Sequence, residues 1–382
     1  MTHDDLGTGP AATALHEMVV ARTTGDWTRA HAAAKAMTSQ PITADPASAN
    51  LYRGAPAVVA YILHTAGHRA YARALTDLNT GTVAIVAHRL DAAHRRMDKG
   101  LPTRLREYDL ISGLTGLGAY FLHRDVDGAL GAVLRYLVRL LTEPLVVDGH
   151  QVPGWWAATS PSDTLDTGEF THGHANFGVA HGVAGPLALL ALARRAGHTV
   201  AGQDDALAAG ITHLTTWAQP FKGGGTGWPE CLPLDAYRQG PQPDAAPARA
   251  SWCYGTPGIA RALQLAALAL NDDTARRLAE HTALQAATDP RQTGQIVDTS
   301  LCHGWAGLVL TTERIAADAA RPDLREALPA LRDRLTAETQ HHPAPEHTGL
   351  LTGAPGVLLT LHTLTTARLV DPEWETCLLL TR

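Results

Sequence analysis

Aromatic side chains, charged side chains and cysteine are all scarce in this sequence of 382 residues: aromatics make up 5% and charged residues 18%, and there are 4 cysteines. Each shortage excludes something. With few aromatics, the core of a chain that is 45% hydrophobic rests on Ala, Leu and Val, a composition suited to a globular protein with a large core. The cysteines, at 231, 253, 302 and 377, are too few and too scattered for a disulfide framework. A reducing compartment is therefore expected, in which free thiols can bind metal. Lys and Arg number 31 against 37 Asp and Glu, a net charge of -6. No cationic surplus is left to neutralise phosphates, so nucleic acid and anionic membranes are not expected as general partners. Long apolar runs are missing too. The longest, from Val183 to Ala193, falls far short of the ~20 residues that span a bilayer and reads as a buried helix. Met1 to Pro10 carries Asp4 and Asp5 and no basic segment followed by an apolar stretch. It is therefore not read as a secretory signal, and a cytoplasmic location is expected.

Glycine, in contrast, is abundant and patterned. Six segments share a Gly-x-x-Gly or close relative followed by an apolar run, beginning at Gly54, Gly113, Gly182, Gly255, Gly304 and Gly353. The first has Ala57 in place of the second glycine. One such pair would be a close-packed helix end or a turn; six make an internal repeat. The starts lie 59, 69, 73, 49 and 49 residues apart, room for two helices and their connections. The runs after the glycines are rich in Ala and Leu and apolar on most faces, as in a helix enclosed on both sides. The stretches between them, such as Asp272 to Ala287 and Asp323 to Thr339, are amphipathic. Alternating inner and outer helices predict an all-α fold, a double-layered α/α toroid formed by residues 1–382 as a single domain. The small residues let several helix N-termini converge at one end of the barrel.

Three stretches depart from helix. Pro144 to Trp156 alternates apolar and polar residues around an Asp-Gly turn, and Phe221 to Pro233 is rich in turn formers. Both are expected to be loops or short hairpins. Gly240 to Ala250 reads as an exposed connector leading to a cysteine.

The chemistry gathers just ahead of the repeat glycines. Cys253 in SWCYGTPG and Cys302-His303 in LCHGWAG occupy equivalent places in successive repeats. In a toroid such places are neighbours, so two thiolates and an imidazole can converge at the barrel mouth. That donor set suits tetrahedral zinc with a fourth position open for water or substrate. Without the repeat, the same residues would read as a buried cysteine beside a capping histidine. His181 in GVAHGVAG precedes its glycine as His303 does and faces the same mouth, either as an acid-base group or as a fourth ligand that would close the site. Asp109, four residues ahead of Gly113, can orient His181, act on substrate or cap a helix. His172 and His174 fall outside the repeat phase and are read as loop or supporting residues. Cys231 and Cys377 also fall outside it and are expected to be dispensable for metal binding.

The set YDLISGLTG, GVAHGVAG, SWCYGTPG, LCHGWAG and LLTGAPG resembles the lanthionine synthetase C-like family, over Leu51 to about Thr366. The resemblance implies seven helices in each layer, so one inner helix lacks the glycine signature. It implies one zinc ion on Cys253, Cys302 and His303, with Asp109 and His181 at the family's acid-base positions. Arg249 and Tyr254 match further active-site positions, Arg249 in loosely patterned surroundings. Some members carry a small β-rich extension for peptide binding, and residues 142–171 are the candidate here. The implied activity is lanthipeptide cyclisation: a cysteine thiol of a dehydrated precursor peptide with its leader adds across dehydroalanine or dehydrobutyrine. A dehydratase is a possible partner. Two thiolate ligands leave the metal electron-rich, which favours thiol alkylation over hydrolysis. The alternatives are addition of an external thiol such as glutathione to dehydroamino acids in proteins, and a non-catalytic peptide-binding toroid, which Cys253, Cys302, His303 and His181 argue against.

Overall fold

The computed structural model describes residues 5–39, 42, 45–54, 56–341, 348–366 and 373–381. Met1 to Asp4, part of the segment read above for a secretory signal, lie outside the described residues. Seven helices form the inner layer: Ala11–Thr24, Pro56–Ala66, Leu114–His123, Ala184–Arg195, Thr256–Leu270, Trp305–Asp318 and Ala354–Thr366. Each packs on the next, and the seventh on the first, so the ring closes. The inner helix without the glycine signature is the first one. Between them run outer helices Thr28–Met37, Ala72–Asp98, Ala129–Thr142, Gln203–Trp217, Asp273–Thr288 and Pro322–His341. These are six among the described residues, against the seven that the resemblance implies. When the chain is described again after the seventh inner helix, it forms a 3-10 turn, Glu373–Leu378, packed among inner helices.

Composition accounts for the two layers. Every residue from Ala184 to Ala193 is buried, as an enclosed helix requires. Asp273–Thr288 buries one side built mainly on alanine, and Asp272 caps it by accepting from the Thr274 and Ala275 N–H groups.

The lead-in turns ahead of the inner helices are joined by a ring of backbone hydrogen bonds. The residue two places before a repeat glycine donates its N–H to the carbonyl at the same place in the next repeat. Ala180 bonds to Cys253 at 3.2 Å, Cys253 to Cys302 at 3.2 Å and Cys302 to Leu351 at 2.8 Å. Leu351 then bonds to Gly7, Leu6 to Tyr52 and Leu110 to Ala180. The remaining gap is spanned by buried Arg89 of an outer helix, whose guanidinium donates to the Ala49 carbonyl on one side and the Ser112 carbonyl on the other, both at 2.8 Å. Buried peptide groups are thereby paired across repeats instead of left unsatisfied.

The folding of each lead-in turn back onto the start of its own helix explains the second glycine. A Cβ at Gly116, Gly185, Gly258, Gly307 or Gly356 would collide with the carbonyl oxygen six residues earlier, at Leu110, Val179, Trp252, Leu301 and Leu350 respectively. The first copy enters its helix differently: Gly54 is left-handed, with φ of 59°, and Ala57 is accommodated.

The barrel axis is filled by the segment around 373–381, which bonds to lead-in residues and to inner helices alike. Tyr52 and Tyr61 donate their hydroxyls to the Cys377 and Trp374 carbonyls, the Trp252 indole N–H bonds to Leu378, and Arg261 to Leu380. Glu375, fully buried, is paired with Arg314 at 2.5 Å. Nothing in the glycine pattern foretold this plug.

Two of the departures from helix hold short hairpins, as expected, and 240–250 is a largely exposed connector. Leu145–Val147 pairs with His150–Val152 around Asp148-Gly149, and Gln219–Pro220 with Thr226–Gly227. His174–Asn176 pairs with Cys231–Pro233. Within 142–171 the strands are those of the one hairpin.

Gly307→Ala is expected to cost roughly 1–3 kcal/mol, because backbone must shift to admit the methyl group. Gly131→Ala, on an outer helix where a Cβ would meet the far end of the Arg135 side chain alone, should be neutral or stabilise by up to ~1 kcal/mol. Urea unfolding midpoints test the contrast; equal stability of the two variants would refute the steric account.

Candidate metal and acid-base site

The hydrogen-bond ring sets the side chains at its mouth. Cys253 and Cys302 each stand two places before a repeat glycine, and the direct bond between their peptide groups makes them neighbours despite 49 residues of separation. His303 follows Cys302 in the same turn. The two Sγ atoms and an imidazole nitrogen of His303 lie within 4.8 Å of one another. Cys253 is buried, while Cys302 and His303 are half-buried at the mouth.

The local electrostatics favour an anionic sulfur. A hydrogen bond from Cys302, then one from His303, holds the Cys253 thiol well below the usual range, and that shared proton and burial push Cys302 up. Asp298 Oδ2 lies 3.4 Å from His303 Nε2. Its hydrogen bond, with that of Cys253, raises the imidazole to about 9. Asp298 Oδ1 also accepts the Ser300 N–H at 2.7 Å, which fixes the carboxylate against the imidazole it orients.

The other two cysteines differ in kind. Burial pushes Cys231 and Cys377 each to about 12, which keeps both thiols protonated and inert. Cys377 belongs to the axial plug. Cys231 pairs across the strands with Asn176, beside the mouth but outside the three-residue cluster.

Asp109 serves two neighbours. Oδ1 accepts the Ser112 N–H at 2.6 Å, fixing the lead-in turn, and Oδ2 accepts from His181 Nδ1 at 2.5 Å. The histidine-orienting reading therefore describes this carboxylate, whereas the capping reading does not hold: the helix begins at Leu114 behind Gly113 with no side-chain cap, and Asp109 holds the turn ahead of it. Burial pulls the His181 pKa down, but the hydrogen bond and charge of Asp109 outweigh it, and the net shift is upward. With Nδ1 engaged, Nε2 is the nitrogen left for proton exchange, on a side chain that is 32% exposed. His181 is not among the clustered metal-ligating groups. The Tyr254 ring lies 6.0 Å from the imidazole, centroid to centroid, and burial raises its hydroxyl above the ordinary range.

Arg249 lies within electrostatic reach of Cys302, whose pKa its charge lowers. Among the described residues its Nε is buried without a hydrogen-bond partner. It lines a cleft of about 470 Å³ with Glu230, Phe221 and Trp228. A second cleft, of about 410 Å³, is lined by Ser112 and Leu351 of the lead-in turns. Of the histidines outside the repeat phase, His174 is buried and directs Nδ1 to the Thr159 carbonyl at 2.7 Å, a supporting place; His172 sits in a loop. Sequence reasoning missed Asp298 and Asn176, whose side chain reaches the Tyr254 hydroxyl and offsets part of its burial-driven pKa rise. Asp298, four residues before Cys302 in DTSLCHG, was the one with a visible signal, an acid beside a ligand pair.

A closed α/α ring with two cysteines and a histidine clustered at its mouth, beside an Asp-His pair, defines the class. The sequence profile described as lanthionine synthetase C-like protein matches residues 1–379, and the chain belongs to that family. It is 26% identical over 265 residues to the nisin biosynthesis protein NisC of Lactococcus lactis subsp. lactis, covering 68% of this chain and 60% of that protein's length. Its structure superposes on a nisin cyclase structure with a TM-score of 0.79 at 20% identity, covering 99% of this chain and 92% of the other. The two share a fold.

Metal analysis of the purified protein should find about one ion per chain, as a three-ligand site with an open position requires. Cys302→Ala and His303→Ala should lose it while far-UV circular dichroism stays helical, whereas Cys231→Ser and His181→Asn should retain it. Loss of metal from His181→Asn would make that residue a ligand.

Proposed function

We propose that this protein is a zinc-dependent lanthipeptide cyclase, acting as a single toroid on a dehydrated precursor peptide and its leader. The observation that carries the reading is the Cys253, Cys302 and His303 cluster set beside the Asp109-His181 pair at one mouth. The donor set fits the metal. Tetrahedral zinc with bonds of about 2.0–2.3 Å needs donor atoms roughly 3.5 Å apart, and these lie within 4.8 Å of one another. Zinc bound there would make a peptide thiol, with a pKa near ~8.5 when free, ionise at neutral pH.

The remaining steps fall to the protein. The thiolate attacks the β-carbon of dehydroalanine or dehydrobutyrine, and the C=C electron pair moves onto the α-carbon and its amide carbonyl. Arg249, with a buried Nε–H that has no acceptor among the described residues, is suited to donate to that oxygen as charge collects there. His181, kept protonated by Asp109, delivers its Nε2 proton to the α-carbon. The proton lost by the thiol restores the imidazole, so the addition has no leaving group. Tyr254, against His181, lines the same approach. Because the axial segment fills the interior of the barrel, the peptide is taken at the mouth.

A dehydratase must supply the unsaturated residues, and the reaction belongs to lanthipeptide, and hence antibiotic, biosynthesis in the cytoplasm. No helix among the described residues is long and apolar enough to cross a membrane.

A pH profile tests the acid role. Asp109 raises the His181 pKa, so the protonated donor persists to higher pH, and rate is lost as pH rises through that value. Asp109→Asn removes the charge that outweighs burial. The alkaline limb should then move to lower pH and the rate at neutral pH fall by about 10- to 100-fold. Thiol-alkylation mass spectrometry of the dehydrated precursor reads the rate; an unshifted limb would remove the pair from proton transfer.

A further inference from the structure

At the end of the barrel away from the mouth, where the second and third inner helices finish, a cleft of about 430 Å³ is lined by His64, His68, Arg69, Asn79 and Arg124, with Leu75 on its apolar wall. Among the described residues, no acidic one lines it. Its volume is of small-molecule size, given that ligand pockets run to about 300–1,000 Å³.

The charges here lack the partners found elsewhere. Arg96 is held by Glu107 at 2.9 Å and Arg314 by Glu375 at 2.5 Å. Among the described residues, the guanidinium groups of Arg69 and Arg124 hold no hydrogen bond or ion pair. Asp125, next to Arg124, turns Oδ1 to the Leu130 N–H at the start of the following helix. In a chain with net charge of -6, two unneutralised arginines converging on one concave surface are a specific feature.

The other polar groups also point the same way. His68 Nδ1 accepts the Ala70 N–H at 3.2 Å, so Nε2 carries the proton and is a donor. The Asn79 amide oxygen takes the Tyr120 hydroxyl and faces His64 Nε2 at 3.4 Å, which leaves its NH2 group for a ligand. Among the described residues, the Arg69 and Arg124 guanidinium groups, the His68 Nε2–H and the Asn79 NH2 group thus give the cleft donors that no protein acceptor takes up. The geometry points to a binding site for a small oxyanion, a phosphate- or carboxylate-bearing molecule held by Arg69 and Arg124, separate from the metal centre.

Isothermal titration calorimetry at low ionic strength, with inorganic phosphate and with succinate as probes, tests the site and distinguishes the two sources of anion. Saturable binding of one anion per chain is expected for at least one probe, weakened at least ~10-fold in the Arg69→Ala/Arg124→Ala double variant, since each guanidinium supplies charge-assisted hydrogen bonds. Both arginines are exposed, so the fold should survive, which circular dichroism checks. Cys302→Ala should bind the probe as the unaltered protein does, keeping this test independent of the proposed reaction. Saturation by phosphate alone would assign a phosphate-bearing ligand, by succinate alone a carboxylate. No saturation by either at ~10 mM, or undiminished binding by the double variant, would overturn the proposal.

Discussion

The peptide hydrogen bonds that tie each lead-in turn to the next are the constraint on which the rest of the molecule depends. They run through Ala180, Cys253, Cys302, Leu351 and Gly7 and convert a repeat along the chain into a ring in space. The ring requires backbone to approach backbone. Each lead-in turn also folds back on the start of its own helix, where a Cβ at Gly258 or Gly307 would strike the carbonyl six residues earlier. The ring fixes what meets at the mouth: residues two places before the glycine, Cys253 and Cys302, are adjacent because their own peptide groups are bonded.

Upon that frame, burial and neighbouring charge give like residues unlike chemistry. Four cysteines share one composition and two fates. Cys231 and Cys377 are raised by burial and left protonated, whereas Cys253 has Cys302 and His303 as hydrogen-bonding neighbours and is drawn toward the thiolate. Two carboxylates do parallel work, Asp109 on His181 and Asp298 on His303, each with one oxygen on an imidazole and the other on a lead-in N–H. Anchoring the carboxylate to a lead-in turn, its histidine's own for Asp298 and the preceding repeat's for Asp109, sets tautomer and orientation together.

Much of this was legible in the sequence because the repeat is a property of spacing. The glycine pairs revealed the inner helices, their common phase brought Cys253, Cys302, His303 and His181 to one mouth, and the Asp-Gly dipeptide at 148–149 gave the hairpin. What escaped has a common cause. The first inner helix enters through Gly7, Gly9 and Pro10, outside the pattern, and Arg89 closes the ring from an outer helix as a single buried side chain. The axial plug bonds to inner helices through its own backbone carbonyls, which no side-chain pattern records. Asn176 reaches the mouth by pairing with a strand more than 50 residues away, a contact that periodicity does not contain.

The central claim is that two thiolates and one imidazole hold a metal with one position open to a substrate thiol. Zinc K-edge X-ray absorption on the purified protein, before and after adding a precursor thiol, tests it most directly. The account expects two sulfur atoms at about 2.3 Å, one imidazole nitrogen at about 2.0 Å and one light atom, with a third sulfur replacing the light atom when thiol is added. Four protein ligands at the outset, with a second imidazole in the shell and no change on adding thiol, would contradict it.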